Sequence, residues 1–341
     1  MTAARSRMLL LAVICVLAIG GAASYFGYAR SSAEAQVSAA QVVPRSADLD
    51  AVLAQDHVVF RSTAVDDTYG RLSVAALADP AGPRASLASV CERVYATTSS
   101  GVCLTADRGI VTSYGVTVLD ARLGPVGSSE LSGPPSRARM SADGSLVATT
   151  VFVSGHSYSA PSFSTETIIR RESGEVVGNL EDFFTTVDGR QLSEIDRNYW
   201  GVTFVDDDTF YATAASNTAG KTWLVRGSMS GRSMTSIRSD AECPSISPDH
   251  TRVAYKTRQG NPAPGQWHLA VLDLATGVET VLAESRSVDD QVEWLDDRSL
   301  LYALPSADTE ASSDIWQVPA DGTGRPSVFI PLAMSPAVVR R

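Results

Sequence analysis

The stretch CPSISPDHTRVAYKT, residues 243–257, constrains this chain most. An apolar stub leads into the polar turn Ser247-Pro248-Asp249-His250, and then into the alternating run Arg252-Val253-Ala254-Tyr255. Pro fixes φ at the first turn position, Asp accepts bonds from the turn backbone, and the last position favours a positive φ. Gly adopts that conformation freely; His tolerates it at some energetic cost. The same text recurs at 138–152, ARMSADGSLVATTVF, with Ser141-Ala142-Asp143-Gly144 as its turn. Looser copies with Asp-Asp turns stand at 202–214 and 292–304, and weaker ones at 53–63 and 90–98.

A second pattern comes after each copy. Pairs of alternating runs joined by a Gly or Pro turn occupy 71–88, 115–132, 165–181, 222–238, 267–283 and 313–329. Each repeat therefore reads as inner strand, acidic turn, second strand and outer hairpin. A period of about 48 residues with four strands is the pattern of a propeller. The expected fold is all-β: a six-bladed β-propeller of four-stranded blades, because no single blade could bury both faces of its sheet. Ring closure calls for a terminal strand, either around Val42-Val43 or around Val338-Val339. The turn residues Ser141, Asp143, Gly144, Ser247, Pro248 and Asp249 are read as structural, since they recur in register with the strands.

The N-terminus carries a different signal. Arg5 and Arg7 precede the uncharged run from Met8 to Tyr28. Such a run is long enough to span a bilayer, for which about 20 residues are needed, and the positive charge ahead of it keeps the N-terminus cytoplasmic. A cleaved signal peptide is the rival reading, with Ala33-Glu34-Ala35 as a distant small-x-small site. Either one exports the remainder of the chain. The expected organisation is a cytoplasmic N-terminus (1–7), a transmembrane anchor or signal segment (8–28), a polar tether (29–50) and the propeller (51–341).

Cysteine usage fits an oxidising compartment. Cys91 and Cys103 flank what reads as two adjacent strands, so they form either a cross-strand disulfide or two buried thiols. Cys243 is read as a buried core thiol and Cys15 as a small residue of the span. The formal net charge of −10 argues against nucleic acid. An acidic surface favours basic partners.

Catalytic signals are weak. Gly155-His156-Ser157-Tyr158 begins like a nucleophile elbow, but Ser159 replaces the second Gly and a strand, not a helix, comes next. His57, His156, His250 and His268 have no metal-ligand spacing, and the run 205–209, VDDDT, lacks the alternation of a calcium loop. Neither a cofactor nor a metal is expected. The long insertion 181–201 ends in Arg197, Tyr199 and Trp200. Aromatic residues with Arg are the composition of interface hot spots, so these three are candidate partner contacts.

Ser247, Pro248, Asp249, Asp273, Thr276 and Gly277 together resemble the WD40-like (PD40-type) repeat of the TolB propeller family. The copy at 141–144 departs from it at Ala142. The resemblance implies six blades and a role in the bacterial cell envelope through protein contacts. TolB proper carries an α/β domain ahead of its propeller; here the apolar segment and tether stand in that place. The repeat serves proteins with different tasks, so the Tol-system role is not implied. The expectation is a non-enzymatic, membrane-tethered, extracytoplasmic scaffold with a monomeric ectodomain, binding an envelope protein or peptide. It would be secreted if the segment were cleaved. The alternative is binding or hydrolysis of a small ligand or glycan in the central channel. Inner strands that are mostly apolar or hydroxyl-bearing count against it.

Overall fold

The computed structural model describes residues 46–153, 164–259 and 265–341, with scattered helical positions between Val13 and Tyr25. The chain divides into a unit of residues 1–43 and a unit of residues 44–341. Among the described residues no helix is long and apolar enough to cross a membrane. Most of the expected span 8–28, and all of the Gly155–Tyr158 stretch, lie outside the described residues.

Residues 44–341 form a six-bladed β-propeller. The fifth blade shows the plan: Ala241–Ile246, Arg252–Thr257, His268–Asp273 and Glu279–Val281 run antiparallel in that order. The first strand of such a set is innermost. It packs against the innermost strands of both neighbouring blades, and these contacts run round the ring without a break.

The middle strands read as near-continuous apolar runs because both of their faces are buried. Val253 and Tyr255 pack toward the fourth blade, with Tyr211 and Leu224. Ala254, one residue out of phase, packs toward the sixth, with Leu300 and Tyr302. In the first blade Val58 and Phe60 face the sixth blade and Val59 faces the second. Six such clusters fill the six gaps between blades. A period of two thus feeds two interfaces at once, and no blade has an independent core.

Closure is made by the C-terminus. Ala333–Val339 forms the innermost strand of the first blade, with Val338 paired to Val58. Residues 42 and 43 lie outside the described residues. The weak copy at 53–63 is a false repeat for the same reason. Leu49–Leu53 is a single helical turn, with Asp48 Oδ1 accepting from Ala51 N–H at 2.9 Å, and His57–Ser62 is already the second strand of its blade. The preceding chain is fixed to the blade by a bond from Ala47 N–H to the Arg84 carbonyl, 3.0 Å.

Blades of four strands hold for five of the six. The fourth has six, because the insertion at 181–201 is not a free rim loop. Phe184–Val187 adds in parallel to the outer strand Ser233–Ser239, and Arg190–Gln191 pairs beyond it.

The repeat turns are built alike. Ser141 Oγ donates to Asp143 Oδ1 at 2.6 Å and accepts from Leu146 N–H at 2.9 Å. Ser247 Oγ donates to Asp249 Oδ1 at 2.5 Å and accepts from Arg252 N–H at 3.0 Å. Gly144 has φ 81°, and His250 takes the same region at 58°. In the Asp-Asp copy of the fourth blade, Asp206 Oδ1 accepts from both Asp208 and Thr209 N–H.

Candidate ligand site at the channel mouth

The innermost strands end in two different settings. Their far ends, with Ser247, Pro248, His250 and Trp294, line a cavity of about 290 Å3. Their near ends open into a larger cavity of about 790 Å3, lined by Arg93, Arg137, Trp200, Glu242, Lys256 and Trp267 among others. These residues come from the second, third, fourth and fifth blades. Asp289 joins them from the segment that leads into the sixth.

Backbone bulges aim several of these side chains. The pairing of the inner strand shifts register between Trp200 and Thr203 in the fourth blade, and between Glu242 and Ser245 in the fifth. A bulge turns side chains out of the alternating pattern and bends the strand. Glu242 and Cys243, consecutive on one strand, accordingly both line the cavity, and Trp200 lines it at the edge of the other bulge.

One wall is a compact charged group. Lys256 is buried, with Nζ 3.3 Å from Glu242 Oε2, and it also bonds to the Asp289 carboxylate. The same ammonium lies 4.2 Å from the centroid of the Trp267 ring, and the Arg258 guanidinium lies 4.9 Å from it. Trp267 Nε1 donates to Glu242 Oε1 at 3.3 Å, which fixes the ring. Arg137 Nη2 is 3.9 Å from Asp289 Oδ1, while its Nε is buried with no hydrogen-bond partner. Arg93 Nη1 is 3.5 Å from Asp290 Oδ1.

The charges act on one another. Burial works against the charged form of Arg93, and the nearby Arg137 adds to this, so its pKa lies below the ordinary guanidinium value despite Asp290. Burial also opposes ionisation of Asp289. Lys256, Arg137 and Arg93 outweigh it and hold the carboxyl below the usual range. For Lys256, burial is outweighed by acidic neighbours that include Glu242 and Asp289, and its pKa rises.

Beneath this group a second polar layer crosses the channel. Arg139 Nη2 is 3.4 Å from Glu293 Oε2, and its guanidinium lies 4.7 Å from the Tyr95 ring centroid. Gln291 Nε2 donates to the carbonyls of Val202 (3.0 Å) and Pro244 (2.8 Å), tying the linker to two blades. Burial raises the Glu293 pKa against the pull of Arg139.

The three residues named as partner contacts separate. Tyr199 is in the core between the third and fourth blades, with its hydroxyl 3.0 Å from Thr185 Oγ1, so it cannot meet a partner. Its outward place in the sequence was misleading because the insertion folds back over it as added strands. Arg197 is half-buried and donates to the Glu194 carbonyl at 3.3 Å. Trp200 lines the cavity. Cys91 and Cys103 form a disulfide with Cα atoms 5.3 Å apart. Cys243 is a free, buried thiol at φ 52°. His57 is buried in the first blade, while His250 and His268 stand at opposite ends of strands in the fifth. Among the described residues no group of three or more His, Cys, Asp or Glu is placed to hold a metal ion.

Sequence reading missed Arg93, Arg137, Lys256, Trp267 and Asp289 as a group. One signal was there: the chain has two lysines, Lys221 and Lys256, and both line this cavity.

The fold has many solved counterparts. A protein of Agrobacterium tumefaciens designated a TolB shares 8% identity over 82% of this chain and 91% of its own, with a TM-score of 0.49. A Bacteroides caccae protein of unknown function shares 10% identity over 84% of this chain and 100% of its own, at 0.49. The periplasmic gluconolactonase of Pseudomonas aeruginosa shares 13% identity over 83% of this chain and 99% of its own, at 0.46. These likenesses concern the propeller fold alone. No family model matches the sequence, and no curated protein matches it either.

Proposed function

We propose that this chain is a membrane-tethered, extracytoplasmic, TolB-like propeller that binds an envelope protein or peptide and carries out no chemistry of its own. The observation that carries this reading is the cavity at the channel mouth. Aromatic and cationic side chains from four blades meet there on strands that the ring holds rigid. Trp and Arg in a partly desolvated concave site are the residues that dominate binding energy. The Cys91–Cys103 disulfide supports export, since such bonds persist in oxidising compartments. The Arg5 and Arg7 charges ahead of the apolar run 8–28 support an anchored orientation.

The test is in-cell crosslinking and capture of the full-length protein beside its Trp200→Ala variant. An envelope protein enriched with the native chain and lost with the variant supports the reading. Equal enrichment with both would place recognition elsewhere on the ring. Protease treatment of spheroplasts tests the location; a propeller that stays protected until the cytoplasmic membrane is broken would overturn it. The second reading is a small ligand in the same cavity. Its volume of about 790 Å3 favours it, since ligand pockets run to roughly 300–1,000 Å3. A binding screen against the full chain in which no partner protein is captured would move the assignment there.

A further inference from the structure

The charges at the channel mouth do not match those of the molecule. The chain has a net charge of −10. Yet the inner wall of the cavity presents Arg93, Arg137, Lys256 and Arg258, against the carboxylates of Glu242, Asp289 and Asp290. Arg258 has no ion pair among the described residues and rests on Trp267. The cations Arg93, Arg137 and Lys256, buried or half-buried, are thus matched one for one by Glu242, Asp289 and Asp290, and Arg258 is an exposed cation beside them. On the rim, Lys221 is offset by Asp188 at 3.1 Å, and the exposed Asp240 is open to water. Solvent screens those groups far more than the buried ones.

Asp289 shows what the wall is shaped to hold. Its side chain is 61% exposed, yet its carboxylate reaches between the nearly buried Lys256 (6%) and Arg137 (13%). A carboxylate that bonds one buried cation, lies 3.9 Å from a second and keeps part of its side chain open to water can give way to another oxyanion. It keeps hydration when it leaves, and the buried cations need only a replacement oxyanion. Arg137 Nε adds a buried donor that Asp289 does not satisfy. Trp200 lines the same cavity as a half-buried indole.

We propose that the channel mouth binds a singly charged carboxylate, carried on an apolar body that lies against Trp200, in the place that Asp289 occupies. A monoanion in that place keeps the balance that Asp289 keeps now; a second negative charge would face only the exposed, solvent-screened Arg258. This deepens the reading of the channel mouth as the recognition surface and rests on it. The carboxylate could end a peptide chain or belong to a small organic acid.

Calorimetric titration of the full-length protein tests this. The probes are N-acetylphenylalanine, its amide, phenyl phosphate, and one tetrapeptide ending in Phe with a free or an amidated C-terminus. The free acid should bind, the amide should fail to bind, and phenyl phosphate should bind no more tightly than the acid. Arg137→Gln should weaken the acid about tenfold or more, the scale of one charge-assisted hydrogen bond. Asp289→Asn should tighten it, a gain that misfolding cannot produce. Free tetrapeptide binding well above the single residue identifies a chain end as the source, and equal binding a small acid. Amide binding equal to acid, or an affinity indifferent to both Arg137→Gln and Asp289→Asn, overturns the inference. If that result coincides with loss of the captured partner in Trp200→Ala, the site remains a recognition surface and only its chemistry has been misread.

Discussion

Gly201 and Cys243 meet backbone to backbone where the innermost strands of the fourth and fifth blades pass each other. A Cβ built on Gly201 would stand 2.8 Å from the Cys243 Cα. Both residues have positive φ, 67° and 52°, and both sit where the strand pairing slips. Only Gly allows so close an approach, and Cys243 carries the conformational cost of a non-Gly residue there. The pair is the pivot that turns Trp200 and Cys243 toward the cavity.

Gly201→Ala should therefore destabilise the propeller by more than the ~1–2 kcal/mol of a left-handed Ala, because backbone, not a movable side chain, stands in the way. Chemical denaturation of native and variant protein measures it. A midpoint unchanged by the substitution would mean that the two strands can separate at no cost.

The Cys91–Cys103 bridge closes a loop with a sequence separation of 12 and lies in the cluster between the first and second blades. Cross-linking a loop of this size restricts the unfolded chain by about 3 kcal/mol in the chain-entropy account. Replacing both residues by Ser should lower stability by about that amount. Adding reductant to the native protein should do the same, and adding it to the double variant should do nothing.

Val338 paired with Val58 closes the ring, and this makes the C-terminus disproportionately important. Deleting residues 333–341 removes one strand of one blade. It also bares the inner edge of that blade and opens the clusters on both of its sides, since Ala333 belongs to one and Ala337 and Val339 to the other. Unpaired edges of this kind invite association with other chains. The truncated protein should lose its cooperative unfolding transition and associate, as read by calorimetry and by sizing. A sharp transition near the native temperature would show that the other blades hold the ring without the closing strand.

The propeller was legible because its evidence is periodic. Six outer hairpins fell where the sequence put them, and the Ser141 and Ser247 turns use one bonding scheme. Periodic signals survive weak individual copies. The closing strand was not decidable for the opposite reason: a closing strand completes a blade from the far end of the chain, so its own repeat text is missing. The extra strands on the fourth blade were not legible in the insertion 181–201 because Phe184–Val187 pairs in parallel with a strand 49 residues away in number, Phe184 with Ser233. The cavity was illegible almost entirely. Arg93, Arg137, Lys256 and Asp289 are scattered along the chain and meet only because rings bring strand ends together. Tyr199 and Trp200, neighbours in sequence, go one to the core and one to the cavity.

Two carboxyl groups should give opposite responses to pH. Asp249 sits in a repeat turn. Partial burial opposes its charge, but the Ser247 hydroxyl and the Thr251 N–H and hydroxyl outweigh this and hold its pKa below the ordinary carboxylate value. A depressed folded-state pKa contributes stability that is present above the unfolded value and lost as pH falls through the folded one. Asp143, Asp206, Asp273 and Asp321 shift in the same direction, so acid should weaken most of the ring's turns together. Glu293 has the reverse sign. Burial beneath the cavity raises its pKa in the folded state. Its contribution is complete below the unfolded value, about 4.3 for a free glutamate, and is lost as pH rises through the folded value. Asp249→Asn should thus lose stability relative to the native protein as pH rises from about 3 to 5, where the native aspartate gains its advantage. Glu293→Gln should gain relative to the native protein as pH rises above about 4. Loss of the 3.4 Å pair with Arg139 sets the absolute level of that second curve and not its slope. Thermal melts of the three proteins between pH 3 and 8 separate the two. Parallel curves for native and Glu293→Gln protein would mean that this carboxylate stays ionised at little cost, and that water reaches the layer beneath the channel mouth.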